Sequence, residues 1–325
     1  MFTLFVPGIE TLPDAATPRL PALERLLVRG RGRPLQDSPW AALARLAGGE
    51  LQRWPVGPVS ALGELDAPPP ACLRAEPLGA EHERHGVFRL PAATLAITRA
   101  EAEALAEAFG QTFGDDGLRL EIASPERWYL ALAGDAGGDH SGAPGGQPGW
   151  RGFDRPAGAL ADDQRPAPPE AGLRLLLSEL EMLFHAHPVN AARREHGVAE
   201  IAGLHPWGGG RLEPPAGLSP LEPAVAEEPF LAGLRRLGAV RGRGHARFDS
   251  AAQGAGDIAW PMAIETHGAA GIESIEDEWA APLLSALRRG RVDGVRIVTG
   301  RAVHETRRRD VFRFWQRSRP LGELC

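Results

Sequence analysis

Residues 175–212 read LLLSELEMLFHAHPVNAARREHGVAEIAGLHPWGGGRL, and their periodicity decides the fold class. With Leu173 just ahead, Leu176, Leu177, Leu180, Leu183 and Phe184 recur at three- and four-residue intervals, the apolar stripe of a helix. A His-Ala-His-Pro-Val-Asn turn follows, and 201–205 reads as a strand entering a Trp-Gly-Gly-Gly loop. The same alternation continues outward. Toward the N-terminus, Thr3 to Val6 is an apolar strand stopped by Pro7-Gly8. Residues 18–29 then place Leu20, Leu23, Leu26 and Leu27 on one helical face. Ser38 caps a second helix with Pro39 at its first position. Toward the C-terminus, 229–237 is a helix, 258–264 a strand, 272–289 a long helix interrupted by Pro282, and 292–299 a last strand. Asp310 caps an aromatic helix at 311–315. Strands alternating with helices predict an α/β domain with a mostly parallel sheet flanked by helices.

The middle of the chain differs. Prolines crowd 51–70, which reads as irregular connection, and 71–90 suggests short strands about the polar turn at 81–86. Thr98-Arg-Ala-Glu101 is a capping box opening a helix with Leu105, Phe109 and Phe113 four residues apart. Residues 118–122 and 127–132 read as paired strands. Residues 51–133 are therefore expected to form a small α+β subdomain inserted into an α/β core of 1–50 and 173–325. Between them, 134–172 is rich in Gly, Pro, Asp and Ala; so little apolar area cannot offset its ordering entropy, and a flexible insert is expected.

All 36 basic residues are arginine, which excludes Schiff-base chemistry and a lysine-dependent phosphate loop, since both need an amine. A net charge of −6 gives no global attraction to nucleic acid or anionic lipid. The arginines at 288, 289, 291 and 307–309 have acidic neighbours and read as a solvated helix end. Cys72 and Cys325 form no metal-type spacing. No apolar run approaches the ~20 residues of a membrane helix, and the N-terminus lacks the charged start of a signal peptide. A cytoplasmic location is expected.

Three segments together resemble the archaeal-type cofactor-independent phosphoglycerate mutases of the alkaline-phosphatase superfamily. They are Thr17-Pro18-Arg19-Leu20 leading into a helix; His187-Pro188-Val189-Asn190 with Arg193, Gly197 and Trp207 to Gly210; and Ile275-Glu276-Asp277-Glu278-Trp279 ahead of Leu284. Val6-Pro7-Gly8, Arg127-Trp128-Tyr129-Leu130 and the Trp-Gly-Gly-Gly segment are more closely similar to bacterial regulatory proteins of the RpfE type. The resemblance implies an alkaline-phosphatase-like fold. In its catalytic members it also implies two divalent metals held by carboxylates and histidines beside a Ser or Thr nucleophile.

Here strand one ends in Pro7-Gly8 where the resemblance places a carboxylate, and the chain has no Asp-x-x-x-His. The only Asp-His pair, Asp139-His140, lies in the expected insert. Thr17 stands as the candidate nucleophile, but without metal its hydroxyl stays weak. His185, His187, His205, His245, Asp249, Asp257, Glu265 and His267 are the remaining polar candidates. His245, Asp249 and His267 are the candidate metal ligands, and His185 and His187 read as a helix end satisfying free carbonyls. Asn190, Arg193, Trp207, Gly208, Gly209 and Gly210 are the candidate ligand-binding set, because open backbone amides and a guanidinium grip anions. The expected function is a non-catalytic regulatory protein on a degenerate mutase-like scaffold, keeping an anion pocket and needing no cofactor. Its partner would be a protein or a phosphorylated small molecule, not nucleic acid or membrane. The alternative is a metal-dependent phosphoglycerate mutase, or related phosphoryl-transfer enzyme, using Mn or Mg with rearranged ligands.

Overall fold

A computed structural model describes residues 1–9, 19–83, 86–132, 171–212, 217–219, 227–240, 247–248, 257–261, 272–313 and 315–316. It divides into two compact units, Met1–Glu50 with Gly217–Cys325, and Leu51–Ala216. Residues 173–216 thus fall in the second unit, with the α+β segment and not with the α/β core.

The first unit is organised on β1 (Phe2–Phe5), followed by α1 (Pro21–Arg29), β2 (Arg31–Pro34) and α2 (Pro39–Leu46). In the second unit the chain runs through α3 (Val56–Glu64), β3 (Ala71–Glu83), β4 (Gly86–Pro91), α4 (Arg99–Phe113), β5 (Leu118–Ser124) and β6 (Arg127–Leu132). It continues with α5 (Ala171–Ala186), α6 (Pro188–Glu195) and β7 (Ile201–Arg211). The first unit resumes with α7 (Pro229–Arg236), β8 (Ile258–Ala259), a π-helical turn Ile275–Ala280, α8 (Ala281–Arg288), β9 (Gly294–Val298) and β10 (Ala302–Arg307).

The sheet of the first unit has the order β2-β10-β9-β1-β8. It is mixed, which corrects the expectation of a mostly parallel sheet. β1 pairs parallel with β8 and β9, while β10 pairs antiparallel with both β9 and β2. Residues 299–301 are too short a link for a crossover, so β9 and β10 must form a hairpin. The Thr299 hydroxyl braces that hairpin, donating to the Ala302 carbonyl at 3.2 Å and accepting the amides of Arg301 and Ala302. Phe2 and Leu4 bury one sheet face against Leu23, Leu26 and Leu27 of α1 and Leu283, Leu284 and Leu287 of α8. On the other face Phe5 stacks on Trp260 at 5.0 Å, and Trp40 of α2 packs on the same indole.

The long helix expected over 272–289 holds a π-helical turn directly before Pro282. Proline has no N–H to give to the carbonyl four residues back. That carbonyl, of Glu278, accepts the Phe248 amide at 2.8 Å. The aromatic helix expected at 311–315 is instead a 3₁₀ turn, Arg308–Phe312, with the Asp310 carboxylate accepting the Arg307 amide at 3.0 Å.

The sheet of the second unit is antiparallel. One edge of the long β3 pairs with β7; its other edge is shared by β6 and β4, and β5 pairs with β6. Leu73, Ala75, Trp128 and Leu130 face a core filled by Leu105, Phe109 and Phe113 of α4 and Leu173, Leu176, Leu180 and Phe184 of α5. α3 covers the opposite face through Ala61, against Cys72 and Tyr129. That helix was expected to be irregular chain. Its prolines sit at the N-cap and in the first turn, where a missing N–H costs nothing. No helix among the described residues is long and apolar enough to cross a membrane.

Phe109 is fully buried with its ring 4.8 Å from that of Phe113. Phe109→Ala is expected to cost the second unit about 3–5 kcal/mol in urea unfolding, through lost transfer energy and an uncollapsed cavity.

Candidate functional site

The Trp-Gly-Gly-Gly segment belongs to strand β7, not to a loop. Between the pairs Arg74–Trp207 and Cys72–Gly210, β7 carries one residue more than β3, a bulge. Gly208 occupies it with φ +65, a conformation that favours glycine. A Cβ on Gly208 would sit 2.9 Å from the Val56 Cβ, and one on Gly210 2.4 Å from the Pro55 Cβ. Gly57 answers from the helix side, where a Cβ would meet the Cys72 carbonyl at 2.7 Å. The glycines therefore let the start of α3 lie on the strand backbone, and Pro55 fills the space beside Gly210. Half-buried Gly209 lies between them. Trp207 is buried, donates from Nε1 to Glu76 at 2.8 Å, and carries the Arg74 guanidinium 4.9 Å over its ring.

Asn190 and Arg193 lie three residues apart on the inner face of α6. The Asn190 amide donates to the carbonyls of Phe184 (2.8 Å) and Ile201 (2.9 Å), and its Oδ1 accepts the Ile201 amide at 2.9 Å. Arg193 is 4% exposed. Its Nε donates to the Ala199 carbonyl at 2.7 Å, one Nη to Glu101 at 2.8 Å, and the other to the Leu95 carbonyl. Glu101 is the capping-box residue of α4 and accepts the Thr98 amide and hydroxyl as well. Burial disfavours its charge, yet the Thr98 amide, the Arg193 guanidinium and the Thr98 hydroxyl outweigh that and hold its pKa below the ordinary value. Both candidate anion grips thus point into the protein, where carbonyls and a carboxylate already receive them.

His187 is the N-cap of α6, its Nδ1 accepting the Val189 amide at 3.2 Å. His185 lies 3.3 Å from Glu200, which also receives Arg194 at 2.7 Å. His205 is buried on β7. The first two therefore serve a helix N-terminus and a contact with Glu200, in place of the free carbonyls expected.

In the first unit, the residues after Thr17 and those around Glu276 meet at the start of α1. The Glu276 carboxylate accepts the amides of Ala22 at 2.7 Å and Leu23 at 3.1 Å. Glu24 accepts the Leu20 amide and forms a two-pronged pair with Arg19, both contacts at 2.7 Å. The N-terminal amides of this helix, a natural anion seat, are thus held by the chain's own carboxylate.

Sequence reasoning missed a polar cluster under α3. Glu64 accepts Arg127 Nε at 2.8 Å and also the Tyr129 hydroxyl. Burial, and then the Glu64 charge, push the Tyr129 phenol well above its usual pKa. Burial likewise raises the Cys72 thiol far above its normal range, so it stays a protonated, unreactive packing group. The strand alternation of Arg127-Trp128-Tyr129-Leu130 was the available signal: Trp128 and Leu130 face the core, Arg127 and Tyr129 face α3.

Thr17, His245, Asp249 and His267 lie outside the described residues, as do Asp139-His140 and residues 133–170. Among the described residues no group of three or more His, Cys, Asp and Glu is arranged to hold a metal ion. The carboxylates at the start of α1 face amides and Arg19, so the described donors do not fit the metal pair that the superfamily resemblance implies.

No protein-family model and no curated protein matches the chain. Among solved structures it is similar to the cofactor-independent phosphoglycerate mutase from Thermoplasma acidophilum DSM 1728. Identity there is 17%, over 94% of this chain and 89% of that one, with a TM-score of 0.36. It is also similar to the PH0037 protein from Pyrococcus horikoshii, at 14% identity over 94% of this chain and 86% of that one, with a TM-score of 0.42.

Two measurements check this geometry. Asn190→Ala removes three buried hydrogen bonds, two of them to the backbone of Ile201, while the Phe184 carbonyl keeps the His187 amide at 3.1 Å. The loss is expected to cost about 3 kcal/mol in denaturant unfolding. Because the Glu101 pKa is depressed on folding, its contribution is present above the unfolded-state pKa and lost as pH falls through the folded value. Wild-type stability should therefore drop more steeply on acidification below the ordinary carboxylate pKa than that of Glu101→Gln, in parallel pH titrations of unfolding.

Proposed function

We propose that this chain is a non-catalytic regulatory protein on a degenerate phosphoglycerate-mutase-like scaffold, acting by binding a protein or a phosphorylated small molecule. One observation carries the reading: the Glu276 carboxylate on the Ala22 and Leu23 amides. In the family that the sequence segments resemble, the run equivalent to Thr17-Pro18-Arg19-Leu20 leads from the nucleophile into this helix. A phosphoryl group there would need those amides and would meet a carboxylate already on them, two anions competing for one set of donors. The inward-facing bonds of Asn190 and Arg193 support the same reading. In it, those residues and Gly208 to Gly210 build the scaffold, and a phosphorylated ligand is held elsewhere.

The test is an assay of the purified protein for phosphoglycerate interconversion with Mn or Mg added. No turnover is expected, in wild type or in Glu276→Ala. Metal-dependent turnover abolished by Thr17→Ala would overturn the proposal and establish a phosphoryl-transfer enzyme with rearranged ligands.

A further inference from the structure

In chain order the arginines near 25–29, 288–291 and 307–313 are interspersed with acids; in the fold they separate from them. The C-terminal end of α1, the C-terminal end of α8 and the 3₁₀ turn Arg308–Phe312 come together on one side of the first unit. Arg29 bonds the Val311 carbonyl, and Arg313 bonds the Arg29 carbonyl at 3.4 Å. The Arg308 guanidinium lies over Gly290, at the end of α8, where a Cβ would stand 3.2 Å from its central carbon. Arg25 on α1 and Arg288 at the last residue of α8 are exposed. Burial, followed by the charges of these two arginines, lowers the Arg29 pKa.

Three described carboxylates of these segments are already engaged. Asp310 is buried and paired with Arg313 at 2.8 Å. Glu305 is held by Arg296 at 2.9 Å and Arg33 at 3.6 Å, and Glu24 is held by Arg19. Among the described residues, exposed Asp293, on the turn before β9, is the acid facing solvent there. Helix C-termini draw cations, which accounts for one arginine at each end. It does not account for several converging from three segments on a chain of net charge −6. Nor does it account for Phe312 and Trp315, 61% and 67% exposed beside them.

We propose that this face, formed by Arg25, Arg29, Arg288 and Arg308 with Phe312 and Trp315, binds single-stranded nucleic acid. Guanidinium groups take the phosphates, and the exposed rings of Phe312 and Trp315, three residues apart in sequence, offer stacking surfaces to unpaired bases. A duplex hides its base faces and gains nothing from the rings. A membrane surface needs a longer apolar helix face than this short turn provides. The inference is independent of the regulatory reading, since it concerns neither the start of α1 nor turnover.

The test is fluorescence anisotropy of full-length protein with a short labelled oligothymidylate across a salt series. Duplex DNA, phosphatidylserine vesicles and polyglutamate serve as comparison ligands. The oligothymidylate is expected to bind in preference to all three. Phe312→Ala with Trp315→Ala should weaken it about tenfold or more by loss of stacking. Arg25→Gln with Arg288→Gln should lower the log–log salt slope by about 0.7 for each phosphate contact removed. These side chains lie at the surface, and an unchanged melting curve separates lost binding from lost folding. Absence of oligothymidylate binding, tighter binding to any comparison ligand, or full affinity in the Phe312/Trp315 variant would overturn the proposal.

Discussion

A guanidinium taken out of water loses hydration worth several kcal/mol, and the fold around it must replace each lost contact or exclude it. In the second unit Arg193 is such a group, and its replacement contacts come from separate parts of the chain. They are the Ala199 carbonyl ahead of β7, the Leu95 carbonyl ahead of α4, and Glu101 in the first turn of α4. Glu101 is simultaneously the helix cap, so α4 cannot fray without stranding a buried charge. One turn away, Asn190 ties the last turn of α5 to the first residue of β7 through both backbone groups of Ile201. The register of β7 follows from these bonds, and with it the register of β3, which pairs with β7 from Ala71 to Gly79.

The first unit shows the same logic with the opposite charge. Free amides at the start of a helix need acceptors, and Leu20, the residue before α1, supplies no side-chain cap. Glu276 provides two acceptors from a turn more than two hundred and fifty residues away. It reaches them from a π-helical turn, where the helix widens just before Pro282. At both sites an ionised side chain that would suit ligand binding instead closes a long-range connection. Removing either would leave buried donors or acceptors without partners, a larger penalty than losing the bond alone.

Several features were legible because they depend on neighbours in sequence. The Thr98–Glu101 capping box, the leucine stripe of α5 and the pairing of β5 with β6 are all set within a few residues. What stayed hidden depends on distant partners. β2, Arg-Gly-Arg-Pro, has no apolar face and is a strand because β10 presents a free edge to it. α3 is masked by Pro55 at its N-cap and by Gly57 and Pro58 in its first turn, where a missing N–H costs nothing. β7 runs straight through Trp207 to Arg211, because the glycines that suggested a loop are needed where α3 crowds the strand. The mixed sheet was hidden in a three-residue link, too short for the crossover that a parallel neighbour requires.

That distinction bears on what the motifs mean. Arg127 and Tyr129 converge on Glu64, Trp207 on Glu76, Asn190 on the α5–β7 junction, and Glu276 on α1. Arg127, Tyr129, Trp207, Asn190 and Glu276 all fall in the motif segments of the sequence, and each is engaged in holding its own unit together. A fold can therefore preserve such segments for packing and hydrogen bonding whether or not any reaction depends on them. Evidence for catalysis has to come from titratable groups that line a cavity and are placed to reach one another and a reacting atom. The described carboxylates and amides at the start of α1 satisfy one another, so the physical balance at that site favours a closed scaffold over an open one.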